Sequence, residues 1–70
     1  MFQSTYYSGE PFAKPAANTG SYEYLTDYAR RLLAADSGMV EVRDANGTLR
    51  YQAYTDAGRL VEWTPEQEAR

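Results

Sequence analysis

From Ser21 onward the apolar residues recur at helical spacing. At about 100° per residue, Tyr24, Leu25, Tyr28, Ala29, Leu32, Leu33 and Ala35 fall on one broad arc, and Glu23, Asp27, Arg30 and Arg31 lie opposite. The pattern predicts one amphipathic helix over residues 21–36. Ser21 suits the N-cap and Glu23 the positive end of the dipole. Asp27 reaches Arg31 at i+4, and Gly38 supplies a left-handed stop after Asp36 and Ser37.

Beyond Gly38 the period shortens to two. MVEVRD, TLRYQAYT and RLVEWT read as three antiparallel strands over residues 38–64, separated by Asn46-Gly47 and by Asp56-Ala57-Gly58. A two-residue Asn46-Gly47 loop sets Ala45 opposite Thr48, Val42 opposite Tyr51 and Val40 opposite Ala53. A two-residue Ala57-Gly58 loop would pair Ala53 with Glu62. A three-residue loop with Gly58 at positive φ pairs Ala53 with Val61 and Tyr51 with Trp63, and is preferred because it keeps the apolar residues together. The expected core face is then Val40, Val42, Leu49, Tyr51, Ala53, Val61 and Trp63, ready for the apolar arc of the helix. One helix covers one side of a sheet, so the other side is open. On it the register places Met39, Tyr54 and Leu60 in one row, Glu41, Gln52 and Glu62 in the next, and Arg43 opposite Arg50.

The flanks are less regular. Residues 8–20 gather Gly9, Pro11, Pro15, Asn18 and Gly20 and read as a loop that no regular element crosses. Residues 2–7, FQSTYY, carry β-formers with imperfect alternation and read as an edge strand or a flexible arm. Thr64-Pro65-Glu66-Gln67 has the signature of a last helical turn within a tail over residues 65–70. The expectation is a single α+β domain over residues 1–70, one helix on a three- or four-stranded antiparallel β-meander.

Composition narrows the chemistry. The 70 residues are 43% hydrophobic and 24% charged with a formal charge of -3, a globular balance. A chain of this size buries only about 60% of its unfolded surface, so its stability is marginal. With no cysteine and no histidine it has no disulfide framework, no thiolate metal site and no imidazole base. No apolar run approaches the ~20 residues of a membrane span, and Met1-Phe2-Gln3-Ser4 lacks the pattern of a signal peptide, so a cytoplasmic location is expected.

The carboxylates show no HExxH, DxDxDG or similar spacing. Ser4, Thr5, Ser8 and Ser21 have no base, and neither GxSxG nor GxxxxGK[ST] occurs. The reading is therefore not an enzyme, with neither metal nor cofactor. Seven tyrosines in so short a chain offer rigid contact area with a polar handle. Tyr28 and Tyr51 read as core, whereas Tyr54 on the open face, and Tyr6 and Tyr7 near the N-terminus, are candidates for binding. Arg43 and Arg50, with Glu41 and Glu62 nearby, form either a solvated mixed-charge face or a pair that reaches a partner's carboxylate or phosphate. The candidate partner-binding set is Met39, Arg43, Arg50, Tyr54, Leu60 and Glu62. Aromatics and arginines on a sheet face also suit single-stranded nucleic acid, but a charge of -3 with one lysine opposes it.

A helix followed by Gly38 and the meander GMVEVRDANGTLRYQAYTDAGRLVEW resembles the C-terminal half of small phage-encoded anti-CRISPR proteins, in particular a type I-F inhibitor family. The positions that carry the resemblance are Asn46, Gly47, Tyr54, Gly58 and Trp63. The segment 8–20 and the near absence of lysine depart from it. The resemblance implies a protein that binds subunits of a CRISPR surveillance complex and blocks access to target DNA. The expected function is a non-catalytic protein-binding inhibitor of the host, with a protein partner and no membrane. The alternatives are a small virion or assembly protein that self-associates through its sheet, and a single-stranded nucleic-acid-binding module.

Overall fold

The helix forms where the periodicity places it. In the computed structural model, which describes residues 1–10 and 14–68, helix α1 runs Tyr22–Ala35 and the Ser21 hydroxyl accepts the Tyr24 N–H at 3.1 Å. Leu25, Thr26, Ala29 and Leu33 face inward. Tyr24, expected on the apolar arc, is 56% exposed. Its place is taken by Tyr22, whose ring meets Phe2 and Tyr51 edge-on at centroid distances of 5.4 and 6.3 Å. Tyr28 is half-buried. The helix ends on an extended Asp36, whose N–H donates to the Leu32 carbonyl. Gly38, at φ +142, is therefore not the helix stop. It lies where the chain passes under β1.

The sheet has five antiparallel strands, not three or four. They are β1 (Phe2–Tyr7), β2 (Ala16–Gly20), β3 (Met39–Arg43), β4 (Leu49–Asp56) and β5 (Arg59–Trp63), in the order β2-β1-β3-β4-β5. Residues 2–7 are thus neither edge nor arm: β1 pairs with β3 on one side and β2 on the other. The strand β2 crosses the segment expected to be loop. Its sequence, AANTG, has little strand propensity, and pairing along all of Phe2 to Tyr6 overrides it. Pro15 precedes the strand, and Pro11 lies outside the described residues.

Both turns differ from the predicted lengths by one residue, in opposite senses. In the first, the Asp44 N–H donates to the Thr48 carbonyl at 3.0 Å and the Gly47 N–H to the Asp44 carbonyl at 2.9 Å. The Asp44 carboxylate accepts the N–H groups of Asn46 and Thr48. This is a three-residue loop, Ala45-Asn46-Gly47, with Gly47 at φ +82. Ala45 does not face Thr48. A β-bulge at Val42/Arg43 then absorbs one residue, Arg50, so that Arg43 lies opposite Leu49. The two displacements cancel. Val42–Tyr51, Glu41–Gln52, Val40–Ala53 and Met39–Tyr54 pair as expected.

In the second turn nothing cancels. Asp56 pairs with Arg59, so the loop is Ala57-Gly58, and both residues take positive φ, 53° and 79°. That is the two-residue geometry matching the right-handed twist of the strands. Ala57 holds it at a cost of about 1–2 kcal/mol that glycine would not carry. Ala53 therefore faces Glu62, Tyr54 faces Val61 and Gln52 faces Trp63. A slip of one residue turns every side chain of β5 over. Val61 and Trp63 leave the expected core face, and Leu60 and Glu62 move onto the helix side.

Among the described residues the core is consequently small. Leu25, Ala29 and Leu33 of α1 close on Val40, Val42, Tyr51 and Ala53, with Phe2, Tyr6, Tyr22 and Leu32 partly buried around them. Leu49 is half-buried outside this cluster. A last helical turn, α2, spans Pro65–Glu68. No helix among the described residues is long and apolar enough to cross a membrane.

Candidate functional site

Strand pairing assembles the uncovered side of the sheet. With Ser4, Tyr6, Val40, Val42, Tyr51 and Ala53 toward the helix, alternation puts their neighbours on the other face. One row across the strands is Tyr7, Met39, Tyr54 and Val61, and the next is Thr5, Glu41, Gln52 and Trp63. Tyr7 and Tyr54 are 38% and 39% exposed. The Gln52 amide reaches the Met39 sulfur and ties the two rows together.

Of the six residues that the sequence suggests, Met39 and Tyr54 are cross-strand neighbours at the centre of this face. Arg43 and Arg50 stand at one end but are not opposed. Arg43 bonds Glu41 at 2.9 Å and the Gly47 carbonyl at 3.0 Å, and Arg50 lies 3.5 Å from Asp44. Both guanidiniums are thus answered within the chain. Leu60 and Glu62 are on the helix side and do not belong to the surface. Val61, Trp63 and Tyr7 belong to it instead. The first two follow from the shorter second turn, and Tyr7 from the central position of β1. Tyr6, grouped with Tyr7 by sequence, points the other way and donates to the Ser37 carbonyl at 2.8 Å.

Glu62 has a structural task. Its carboxylate accepts the Tyr51 hydroxyl at 2.5 Å and the Arg30 guanidinium at 2.7 Å, bridging β5, β4 and α1. The Tyr51 hydrogen bond and then the Arg30 charge hold Glu62 below its usual carboxylate range, and burial pushes the Tyr51 hydroxyl up. Asp44 is lowered as well, first by the Thr48 N–H. Depressed carboxylates stabilise the fold above their unfolded pKa of about 4, and that contribution disappears as pH falls through their lower folded values. Thermal melts should therefore be level in weakly acidic buffer and fall steeply below pH ~4. Glu62→Gln should be less stable near neutrality and lose less on acidification. A melting profile parallel to that of the wild type would remove Glu62 from this role.

The chemistry available elsewhere is sparse. Among the described residues no group of three or more His, Cys, Asp or Glu could hold a metal ion. A shallow cleft of about 220 Å³ lies between the end of α1 and the β4–β5 turn, lined by Leu33, Asp36, Ser37, Thr55 and Gly58 among others. Its Thr55 hydroxyl already accepts the Gly38 N–H. The open sheet face carries the exposed rings of Tyr7 and Tyr54. No protein-family model matches the chain, and neither a curated protein nor a solved structure matches it.

Proposed function

We propose that the protein is a non-catalytic inhibitor that occupies a surface of a larger protein assembly with its open sheet face. The observation that carries this reading is the row Tyr7, Met39, Tyr54 and Val61 with Trp63 beside it, left uncovered by the single helix. Aromatic residues and methionine are what interface centres concentrate. Tyr54 and Trp63, two positions of the resemblance to phage anti-CRISPR proteins, share this face. That supports the specific version: a phage-encoded inhibitor in the bacterial cytoplasm, bound to a protein subunit of a type I surveillance complex so that target DNA is kept out.

The test is phage plating on a host whose type I CRISPR–Cas system targets that phage, combined with DNA binding by the purified surveillance complex. Expression of the chain should restore plaques by orders of magnitude. The purified chain should abolish the DNA gel shift, and Tyr54→Arg with Val61→Arg should lose both effects. Full immunity in the presence of the chain, with an unaltered gel shift, would overturn the anti-CRISPR version.

A further inference from the structure

Strand β5 is held in its register by polar contacts and against its apolar side chains. It is an edge strand bonded only to β4, so a slip along β4 disturbs one ladder and leaves the rest of the sheet paired. Its helix side carries Leu60, 43% exposed, and the Glu62 carboxylate, while Val61 and Trp63 lie on the uncovered side. What fixes this arrangement is Glu62, which accepts the Tyr51 hydroxyl from β4 and the Arg30 guanidinium from α1.

The turn that leads into β5 is strained. Ala57, at φ +53, is the one non-glycine residue at positive φ among the described residues, and Gly58 follows it at φ +79. In a three-residue loop, Asp56-Ala57-Gly58, glycine alone takes the positive φ and Ala57 is relieved. The same three residues therefore serve two turns that differ by one residue in register.

The second register also has places for the side chains it moves. The slip sets Val61 opposite Ala53 and Trp63 opposite Tyr51 on the helix side, and turns Leu60 and Glu62 to the open side. It sets Arg59 opposite Thr55. Thr55 lines the cleft of about 220 Å³ at the end of α1, together with Asp36, Ser37 and Gly58. The last turn of α1 has no basic residue, and Asp36 adds a carboxylate to the negative end of its dipole. A guanidinium brought to that place answers both.

We infer that β5 is a two-position switch, in which the Glu62 carboxylate is the latch of the observed register and the second position lies one residue along β4. Strand twist and the bonds of Glu62 favour the first position. Burial of Val61 and Trp63, relief of Ala57 and a partner for Arg59 favour the second. The switch does not depend on the inhibitory role. Where that role holds, the slip withdraws Val61 and Trp63 from the open face, so the latch also decides whether the binding surface is complete.

NMR on the purified full chain tests the switch without any partner. In the observed register Val61 faces Tyr54, and in the second its methyl groups meet that of Ala53. The wild type should show the Val61–Tyr54 contact, with relaxation dispersion confined to residues 56–63 and the stretch of β4 beside them. Glu62→Lys can accept no bond from Tyr51 and repels Arg30, and should move the ratio of registers at least about tenfold toward the second. The Val61–Ala53 contact then appears, and the emission of Trp63, the sole tryptophan, shifts to the blue. Adding Ala57→Gly, which relieves the two-residue turn, should return the ratio about tenfold. Should Glu62→Lys not fold, Glu62→Gln carries the test: it keeps the size of the side chain, loses the charge, and should raise the dispersion at the same residues. A folded Glu62→Lys protein that retains the Val61–Tyr54 contact alone overturns the inference. So does dispersion that is flat through β5 in both the wild type and Glu62→Gln.

Discussion

Gly38→Ala is expected to remove more than half of the domain's stability. Gly38 sits at φ +142, where an L side chain is strained. A β-carbon built there overlaps the Tyr7 carbonyl oxygen and lies 2.9 Å from the Tyr6 ring. Neither neighbour is free to withdraw. Tyr6 is anchored by its bond to the Ser37 carbonyl, and Tyr7 belongs to the pairing of β1 with β3. On the other side, the Gly38 carbonyl accepts the Thr55 N–H and its own N–H donates to the Thr55 hydroxyl. Backbone strain together with a steric overlap that cannot relax costs more than about 3 kcal/mol, a large share of the ~5 kcal/mol that holds a domain of this size together. Gly20→Ala is the control, because its β-carbon would meet only the exposed ring of Tyr24, which can swing aside. Urea titrations followed by circular dichroism check the pair, and a Gly38→Ala midpoint near that of wild type would disprove the close approach.

Tyr51→Ala should cost about 3–5 kcal/mol, and Trp63→Ala only about 1–2 kcal/mol. Tyr51 is 2% exposed beneath α1, touches Tyr22 and holds Glu62. Trp63 is half-buried on the side away from the helix, so its removal leaves no core cavity. Tyr51→Phe isolates the hydroxyl and should cost about 1 kcal/mol, the worth of a partly exposed hydrogen bond to a carboxylate. Denaturant midpoints order the three variants. A loss in Trp63→Ala equal to that in Tyr51→Ala would put the tryptophan in the core and refute the two-residue turn.

That ordering departs from what the sequence suggests, which puts both residues on the core face, and the departure traces to a single residue. The helix and the β3–β4 pairs were legible because their apolar periodicity is sustained and because the long first loop and the bulge at Val42/Arg43 offset each other. β5 was not, because the loop that keeps Val61 and Trp63 with the other apolar residues is a reasonable preference until Ala57 adopts positive φ. Hydrophobic sorting favours one register and strand twist the other. Burial of Glu62 against Tyr51 and Arg30 helps the second, a polar gain that no hydrophobic pattern reveals. The β2 strand was hidden for another reason: AANTG has no alternation to read, and its pairing is imposed by β1. Of the open face, Met39 and Tyr54 were therefore readable in advance. Tyr7, Val61 and Trp63 required knowledge of non-local pairing and of one dihedral angle.

The order β2-β1-β3-β4-β5 also has a kinetic consequence. Although β1 begins the chain, its inner neighbour β3 comes only after β2 and α1. Closing that loop costs chain entropy before any pairing offsets it, whereas the two later hairpins join adjacent segments. We expect the helix and the β3–β5 meander to assemble first and the N-terminal hairpin to dock last. Until it arrives, β3 is a bare edge with unpaired backbone donors and acceptors. In a concentrated refolding mixture the hairpin that reaches this edge need not come from the same chain. The slowest step of folding is thus also the one at which two molecules can exchange their N-terminal segments.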